Sequence, residues 1–505
     1  MKKFIALILL VFLGAGILIS CGGNTGDTTD RADVTNAPQN DGPEDAGSAE
    51  PVRIEPDLPE GLDFGGYIFT YLAHREGTAG WDWVDNDPLE VIAEEETGEP
   101  INDAVFRRNA TLQATYNFEL DMVTNTDEVS LLRRTVNAGD DIYDAVIIYN
   151  NNVPGAVQND LLTDVAMLSY IDLEKPWWDP SVNGMSIAGR NFLLAGDLLI
   201  LDNEATDAII FNKDMMRDMG HDLPYADVLA GRWTMDRLHD LSRDAGRDLN
   251  GDGEMRYMDD QFGFITFNDT IQGLLISGGG LSAAKNAEDI PYMDFASERN
   301  VAILEKAMNL MYRDTNPSVF NVQSVDAGSG NVTWMAAYYN TFEENRALFM
   351  WIRMRVVEVF RGMDADFGIL PMPKYDENQD GYRSLVNPYT GVMLGVPKSV
   401  TDLDRTGMIL EAISSESRYT LQPAYYDVVL QRKFTRDEES GEMLNIIFSN
   451  RVYDIGMVYS FGDVAAGIRD LAANENRNIA SYYERRGAAM QTAIERLVDR
   501  IMNLD

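Results

Sequence analysis

One short run carries the clearest coordination chemistry in this 505-residue chain. Asp248, Asn250 and Asp252 place side-chain oxygens at alternate positions of a loop, and Gly253 stands where such a loop turns sharply. Glu254 offers a backbone carbonyl, and Asp259 falls at the twelfth position, where a carboxylate would close the shell. Hard oxygen ligands at this spacing suit calcium. The expectation is a structural Ca2+ clamp with the weak affinity of extracellular modules, roughly 10⁻⁴–10⁻³ M. The competing reading is an acidic turn without an ion. A second run, Asp376–Gly381, begins alike but has Asn387 where the closing carboxylate would be, so it reads as a turn.

Catalytic constellations do not stand out. The histidines are His74, His221 and His239, none of them in H-E-x-x-H, and there is no G-x-S-x-G elbow. With 82 acidic residues, no single pair of carboxylates identifies itself as a hydrolytic pair. Cys21 is the lone cysteine, which excludes disulfides and thiolate chemistry. Amides and aromatic faces remain. Asn150 opens the run Asn150-Asn151-Asn152 directly after the apolar stretch Asp144–Tyr149. Ligands of open α/β sheets bind beyond the carboxyl ends of strands, and amides both donate to and accept from sugar hydroxyls. The alternative there is a polar turn. Trp177 and Trp178, adjacent in a Pro-bounded loop, either present a ring face to a ligand or pack as a lid.

These residues need a frame, and the apolar pattern describes one. Gly66–Leu72, the alternating Phe118, Leu120 and Met122, and Asp144–Tyr149 read as strands, separated by helices from Ile101 and over Glu128–Asn137. That alternation is an α/β lobe. Next, two apolar runs, Phe192–Ile200 and Ala208–Phe211, flank the polar break Asp202-Asn203-Glu204. They read as buried strands, either crossing between two lobes or forming a hairpin inside one. Thr234 is placed to cap a helix, Phe262–Phe267 and Arg346–Arg353 are strand-like, and two more strands fall at Phe367–Leu370 and Gly391–Val396. From Leu403 onward the pattern is helical, and Met490, Ile494, Leu497 and Ile501 form one stripe. Strands that return after a long excursion indicate a chain that leaves its first lobe and comes back.

The formal charge of −41 excludes nucleic acid and anionic lipid as partners, because both demand clustered Lys and Arg. At the N-terminus, Lys2 and Lys3 precede an apolar run from Phe4 to Ile19, too short to span a membrane. The ending Leu18-Ile19-Ser20-Cys21 resembles the lipobox of bacterial lipoproteins, which implies cleavage before Cys21 and a lipid anchor on it. Residues 22–60 are Gly, Asn, Thr, Asp, Pro and Glu in the main, with no aromatic side chain, and read as a disordered tether.

Seven stretches in a fixed order carry a wider resemblance: Glu94–Asn109, Asp144–Val165, Phe211–Asp214, Gly231–Leu241, Asp248–Gly263, Phe367–Glu377 and Tyr425–Leu444. Together they resemble the extracellular solute-binding proteins of family 1, the sugar-type lipoprotein receptors of bacterial ABC importers that include the maltodextrin-binding proteins. The resemblance implies an α/β, two-lobe periplasmic-binding-protein-like fold of class II type, with lobes joined by hinge strands. Lobe one would be 62–200 plus 346–400, and lobe two 205–345 plus 401–505. It implies a monomer that binds a sugar or oligosaccharide in the cleft, catalyses nothing, sits on the outer face of the cell membrane and hands its ligand to the permease subunits. By location in such a cleft, Asn203 and Glu204 at the hinge, Asn150, Trp177, Trp178, Trp351 and Tyr425 are the expected ligand contacts. Two other classes, a surface glycan hydrolase and a calcium-stiffened adhesion or scaffold lipoprotein, stay as alternatives.

Overall fold

The computed structural model describes residues 53–74, 90–324, 334–431 and 438–504. The export segment with Cys21 and the tether up to residue 52 lie outside the described residues. Residues 54–58 run along the folded body: the Ile54 amide donates to the Tyr419 hydroxyl at 2.8 Å, and Asp57 pairs with Lys175 at 2.7 Å.

Two sheets organise the body. β1 (Tyr67–His74), β2 (Phe118–Asn125) and β3 (Ala145–Tyr149) alternate with helices Pro100–Tyr116 and Glu128–Ala138 and run parallel. The chain then builds β4 (Asp207–Asn212), β5 (Phe262–Thr266), a small hairpin of β6 (Ala283–Lys285) and β7 (Pro291–Met293), β8 (Val319–Asn321), β9 (Ala347–Arg353) and β10 (Phe367–Leu370). β11 (Ser384–Leu385) leads back to β12 (Val392–Gly395), and β13 (Arg451–Val452) pairs with β11. The first sheet has the order β12-β3-β1-β2, the second β10-β4-β9-β5-β8.

The sequence explains these elements locally. β3, β4, β5 and β9 are buried at every residue, as strands covered on both faces require, and their sequences are nearly unbroken apolar runs. β2 is an edge strand and carries the charges Glu119 and Asp121, which blunt an open edge. Asp127 caps helix Glu128–Ala138 by accepting from the Ser130 amide, and Gly139, at φ 73°, ends it. Thr234 caps Met235–Arg243 as expected, and Asn212 caps Lys213–Asp218. The stripe Met490, Ile494, Leu497 and Ile501 is buried along the last helix, Ile479–Met502.

Three expectations are corrected. First, 192–200 is buried but is not a regular strand. Leu194 and Leu394 exchange backbone hydrogen bonds as an isolated bridge, and Gly196 presses so close to Trp177 that a Cβ there would lie 2.2 Å from the Trp177 carbonyl oxygen. Second, the polar break is a short helical turn, Leu201–Glu204, and it is the crossing between sheets: β4 pairs with β9 and β10, not with 192–200. Third, the lobe boundaries move. β9 lies between β4 and β5, and β10 beside β4, so both belong to the second sheet and not the first. A central strand has both hydrogen-bonding edges paired, and the second sheet pairs those of β9 with β4 and β5. Helices Leu403–Tyr419 and Leu421–Gln431 pack on helix Pro100–Tyr116 of the first lobe, whereas Glu438–Ser449 packs on β10. The chain therefore passes between the halves three times.

Candidate functional site

A cavity of about 680 Å³ opens between the two sheets, within the range typical of small-ligand sites. Its walls are strand ends. His74 ends β1 and Tyr149 ends β3; Phe267 follows β5, Gln323 follows β8, and Trp351 and Arg353 end β9. These strands run parallel within their sheets, so the carboxyl ends of both sheets converge on one space. Loops beyond such ends are free of the sheet's hydrogen bonding and can present side chains to a ligand.

One wall is aromatic. Phe267 meets Tyr338 edge-on at 4.4 Å and Trp334 edge-on at 5.3 Å, and lies 5.7 Å from Trp351. Across the cavity Tyr149 lies 4.8 Å from the His74 ring. Glu128, wholly buried, sits 2.7 Å from His74 Nδ1 and accepts from Asn152 Nδ2 at 2.8 Å, so the residues after β3 are anchored to the first helix layer.

The floor is polar and charged. Arg353 donates to Asp269 at 2.7 Å, Arg469 approaches the other oxygen of Asp269 at 3.6 Å, and Arg355 lies 3.9 Å from Glu204. Behind Trp351 lies Asp207, fully buried; burial pushes its carboxyl well above the usual range, with the pull of Arg353 opposing. Gly273 leaves room for this group: a Cβ there would stand 2.5 Å from Asp207 Oδ2 and 3.4 Å from Trp351 Nε1. On this lining the buried Trp351 indole N–H faces the Asp207 carboxyl and the Tyr389 hydroxyl faces the Gln272 carboxamide, both outside strict hydrogen-bond geometry, and the buried Thr390 hydroxyl meets no partner. Buried polar atoms left open are costly unless a ligand or water completes them.

The expected contact residues divide sharply. Glu204 and Trp351 line the cavity; Asn150, Trp177, Trp178, Asn203 and Tyr425 do not. Asn150 is buried beneath it, its backbone donating to the Gly391 carbonyl at 2.9 Å, and its neighbours Asn151 and Asn152 reach the cavity instead. Trp177 and Trp178 are core residues, 0% and 3% exposed, whose indole N–H groups both donate to the Glu411 carboxylate at 3.1 and 2.8 Å. Burying two indoles requires an acceptor for each, and Glu411 supplies both oxygens. Asn203 is held by Gln422 and Arg451. Tyr425 is 3% exposed and packs edge-on to Phe448 at 6.1 Å.

The calcium loop is folded by its own hydrogen bonds. Asp248 accepts from the amides of Gly251 and Gly253 at 2.6 and 2.7 Å. Arg256 pairs with Asp252 at 3.0 Å and with Glu254 at 2.9 Å. Asp259 is exposed, and its neighbour Asp260 is buried instead, accepting from the Leu249 and Arg256 amides at 2.9 and 2.6 Å. Among the described residues no three acidic, His or Cys side chains converge at metal-ligand spacing. In this arrangement Arg256 occupies the Asp252 carboxylate that the calcium reading needs.

No family model and no curated protein matches the sequence. Solved structures match the fold. UspC of M. tuberculosis aligns with a TM-score of 0.54 at 15% identity, over 84% of this chain and 100% of that one. The cyclic alpha-maltosyl-1,6-maltose binding protein of Arthrobacter globiformis aligns at 0.54 and 12% identity, over 86% and 99%. The galacto-N-biose-/lacto-N-biose I-binding protein of an ABC transporter from Bifidobacterium longum aligns at 0.50 and 13%, over 87% and 98%. The latter two are named as binding proteins, and at such identities what is shared is architecture. Two α/β lobes with a ligand-sized space between them, joined by three passages of the chain, are the fold of the two-lobe solute-binding proteins.

Proposed function

We propose that this chain is the substrate-binding component of an ABC importer, which captures a carbohydrate between its lobes, performs no chemistry on it and delivers it to the transmembrane permease. The observation that carries the reading is the cavity itself: strand ends from both sheets meet there, with an aromatic wall on one side and open hydrogen-bonding groups on the floor. Aromatic faces match the apolar faces of sugar rings, and the polar groups match the hydroxyls. A ligand that touches both walls binds the closed arrangement more tightly than the open one and shifts the population toward closure. The sugar-binding neighbours of the same fold support the reading.

Calorimetric titration with a panel of mono- and oligosaccharides tests it, paired with small-angle scattering. The expected result is saturable heat with at least one sugar and a smaller radius of gyration in its presence. Heat with none, or steady release of reducing ends from a glycan, overturns it.

Anchoring through a lipid on Cys21 and a loosely held calcium at Asp248–Asp259 belong to the same proposal. Calcium would have to displace Arg256 from the Asp252 carboxylate, so Arg256→Ala is expected to tighten calcium binding about two- to fivefold, read as the thermal shift in millimolar calcium. No shift in either protein removes the ion from the proposal.

A further inference from the structure

The first-lobe wall of the cavity carries a hydrogen-bonded pair whose proton can be placed. His74 closes β1, and its ring lies on the lining, tilted 59° against Tyr149 at 4.8 Å, with 16% of the side chain exposed. Its Nδ1 stands 2.7 Å from Glu128 Oε2. Glu128 Oε1 accepts from Asn152 Nδ2 at 2.8 Å, so this wholly buried carboxyl offers one oxygen to each neighbour. Glu128 is also the first residue of helix Glu128–Ala138, where the helix dipole favours negative charge. A carboxylate accepts and cannot donate, so the hydrogen between it and the imidazole belongs to Nδ1.

That placement decides what the other edge of the ring can do. A neutral imidazole with its proton on Nδ1 has a bare lone pair on Nε2. Among the described residues no hydrogen bond or ion pair reaches Nε2. Nδ1 is turned into the protein, toward the helix layer, which leaves the Nε2 edge to the cavity. A sugar hydroxyl has two lone pairs and one proton, and only an acceptor takes the proton. Fluorine or an ether oxygen in its place can accept but has no proton to give.

We propose that His74 is a specificity-determining contact: its Nε2 accepts the proton of one ligand hydroxyl, and Glu128 is the positioning residue that holds the ring in the Nδ1–H form. Asn152, bonded to the same carboxylate, keeps the turn after β3 in register with that ring. This rests on the carbohydrate reading above and deepens it, because at one position of the sugar the site distinguishes a hydroxyl from groups of similar size that cannot donate.

The full chain in detergent, with nitrogen-15 in its histidine rings, tests the proton placement by solid-state magnetic resonance. His74, His221 and His239 are the only histidines, so His221→Gln and His239→Gln assign the signals. At about pH 8 the ligand-free His74 ring is expected to show a protonated Nδ1 and a bare Nε2. Glu128→Gln can donate its amide to Nδ1 while its oxygen accepts from Asn152, so it should move part of the population to the Nε2–H form. Loss of packing alone would not move a proton between the two nitrogens. A wild-type ring protonated on Nε2, alone or together with Nδ1, overturns the proposal.

The ligand contact is tested with glucose, galactose, maltotriose, cellotriose and xylotriose. The sugar giving the largest calorimetric heat should shift the His74 Nε2 resonance, and His74→Phe should weaken its binding about three- to tenfold, the worth of one hydrogen bond. Among single deoxy and deoxyfluoro analogues of that sugar, one position should lose as much with fluorine as with hydrogen, and His74→Phe should abolish that loss. The wild-type spectra and analogues decide the matter even if a variant folds poorly. Heat without movement of the Nε2 resonance, or fluorine matching hydroxyl at every position, overturns the contact and leaves carbohydrate capture intact. Silence with every saccharide overturns both.

Discussion

Single atoms carry the testable consequences at the smallest scale. The Tyr389 hydroxyl lies at the cavity with the Gln272 carboxamide beside it, yet meets no partner in hydrogen-bond geometry. Tyr389→Phe should therefore leave unfolding free energy within about 0.5 kcal/mol of wild type while weakening sugar binding roughly five- to tenfold. Chemical denaturation and calorimetry on the same sample check this, and a large stability loss would mean the hydroxyl is already satisfied. Glu411 is a second such place. Burial pushes its carboxyl up to about 7 against the pull of the Trp178 and Trp177 indole donors. A carboxyl raised in the folded state stabilises most below its unfolded pKa, and that contribution is lost as pH climbs from about 4.5 to 7. Glu411→Gln lacks this titration and also turns an amide donor toward one indole N–H. The variant should be less stable throughout and should lose less stability than wild type between pH 4.5 and 7, measured by urea denaturation at both pH values.

At the scale of elements, the crossings are held by buried charge. Arg451, at the start of β13, reaches Asp179 of the first lobe at 2.9 Å and Asp202 of the first crossing at 3.1 Å. Removing one partner from a buried ionic group leaves the others uncompensated. Arg451→Met should cost about 3–5 kcal/mol of unfolding free energy. Arg451→Met with Asp202→Asn should recover part of that loss in a double-mutant cycle. The same elements show how far a sequence can be read. β3, β4 and β9 were legible because a fully covered strand is an uninterrupted apolar run. What the run could not say is which strands flank it, and so β9 and β10 were placed in the wrong half. Trp351 and Glu204 do lie on the cavity lining, because a strand end and a crossing border the space between the sheets. Trp177 and Trp178 were misread because their satisfying acceptor, Glu411, lies 234 and 233 residues further along the chain. Phe267, Trp334 and Tyr389 escaped notice although Phe267 obeys the same strand-end rule that singled out Asn150.

For the molecule as a whole, the charge of −41 and the proposed anchor at Cys21 bear on how it meets its surroundings. An acidic body repels anionic lipid head groups, so the membrane attachment proposed above would rest on covalent lipid. Metabolic labelling with a palmitate analogue should mark the wild type and not Cys21→Ala, and the variant should appear in the medium or soluble fraction. Label retained by the variant would refute an anchor at that residue.

The three passages of the chain also fix an order of events at the ribosome. β3 emerges early but waits for β12, which is made only after the second sheet is complete, so its flank stays unpaired through most of synthesis. The half that begins first is finished last, and an exposed strand flank is an invitation to aggregate. Such a nascent chain gains from being kept unfolded until it is released whole, which would suit the proposed route through a translocation channel before folding.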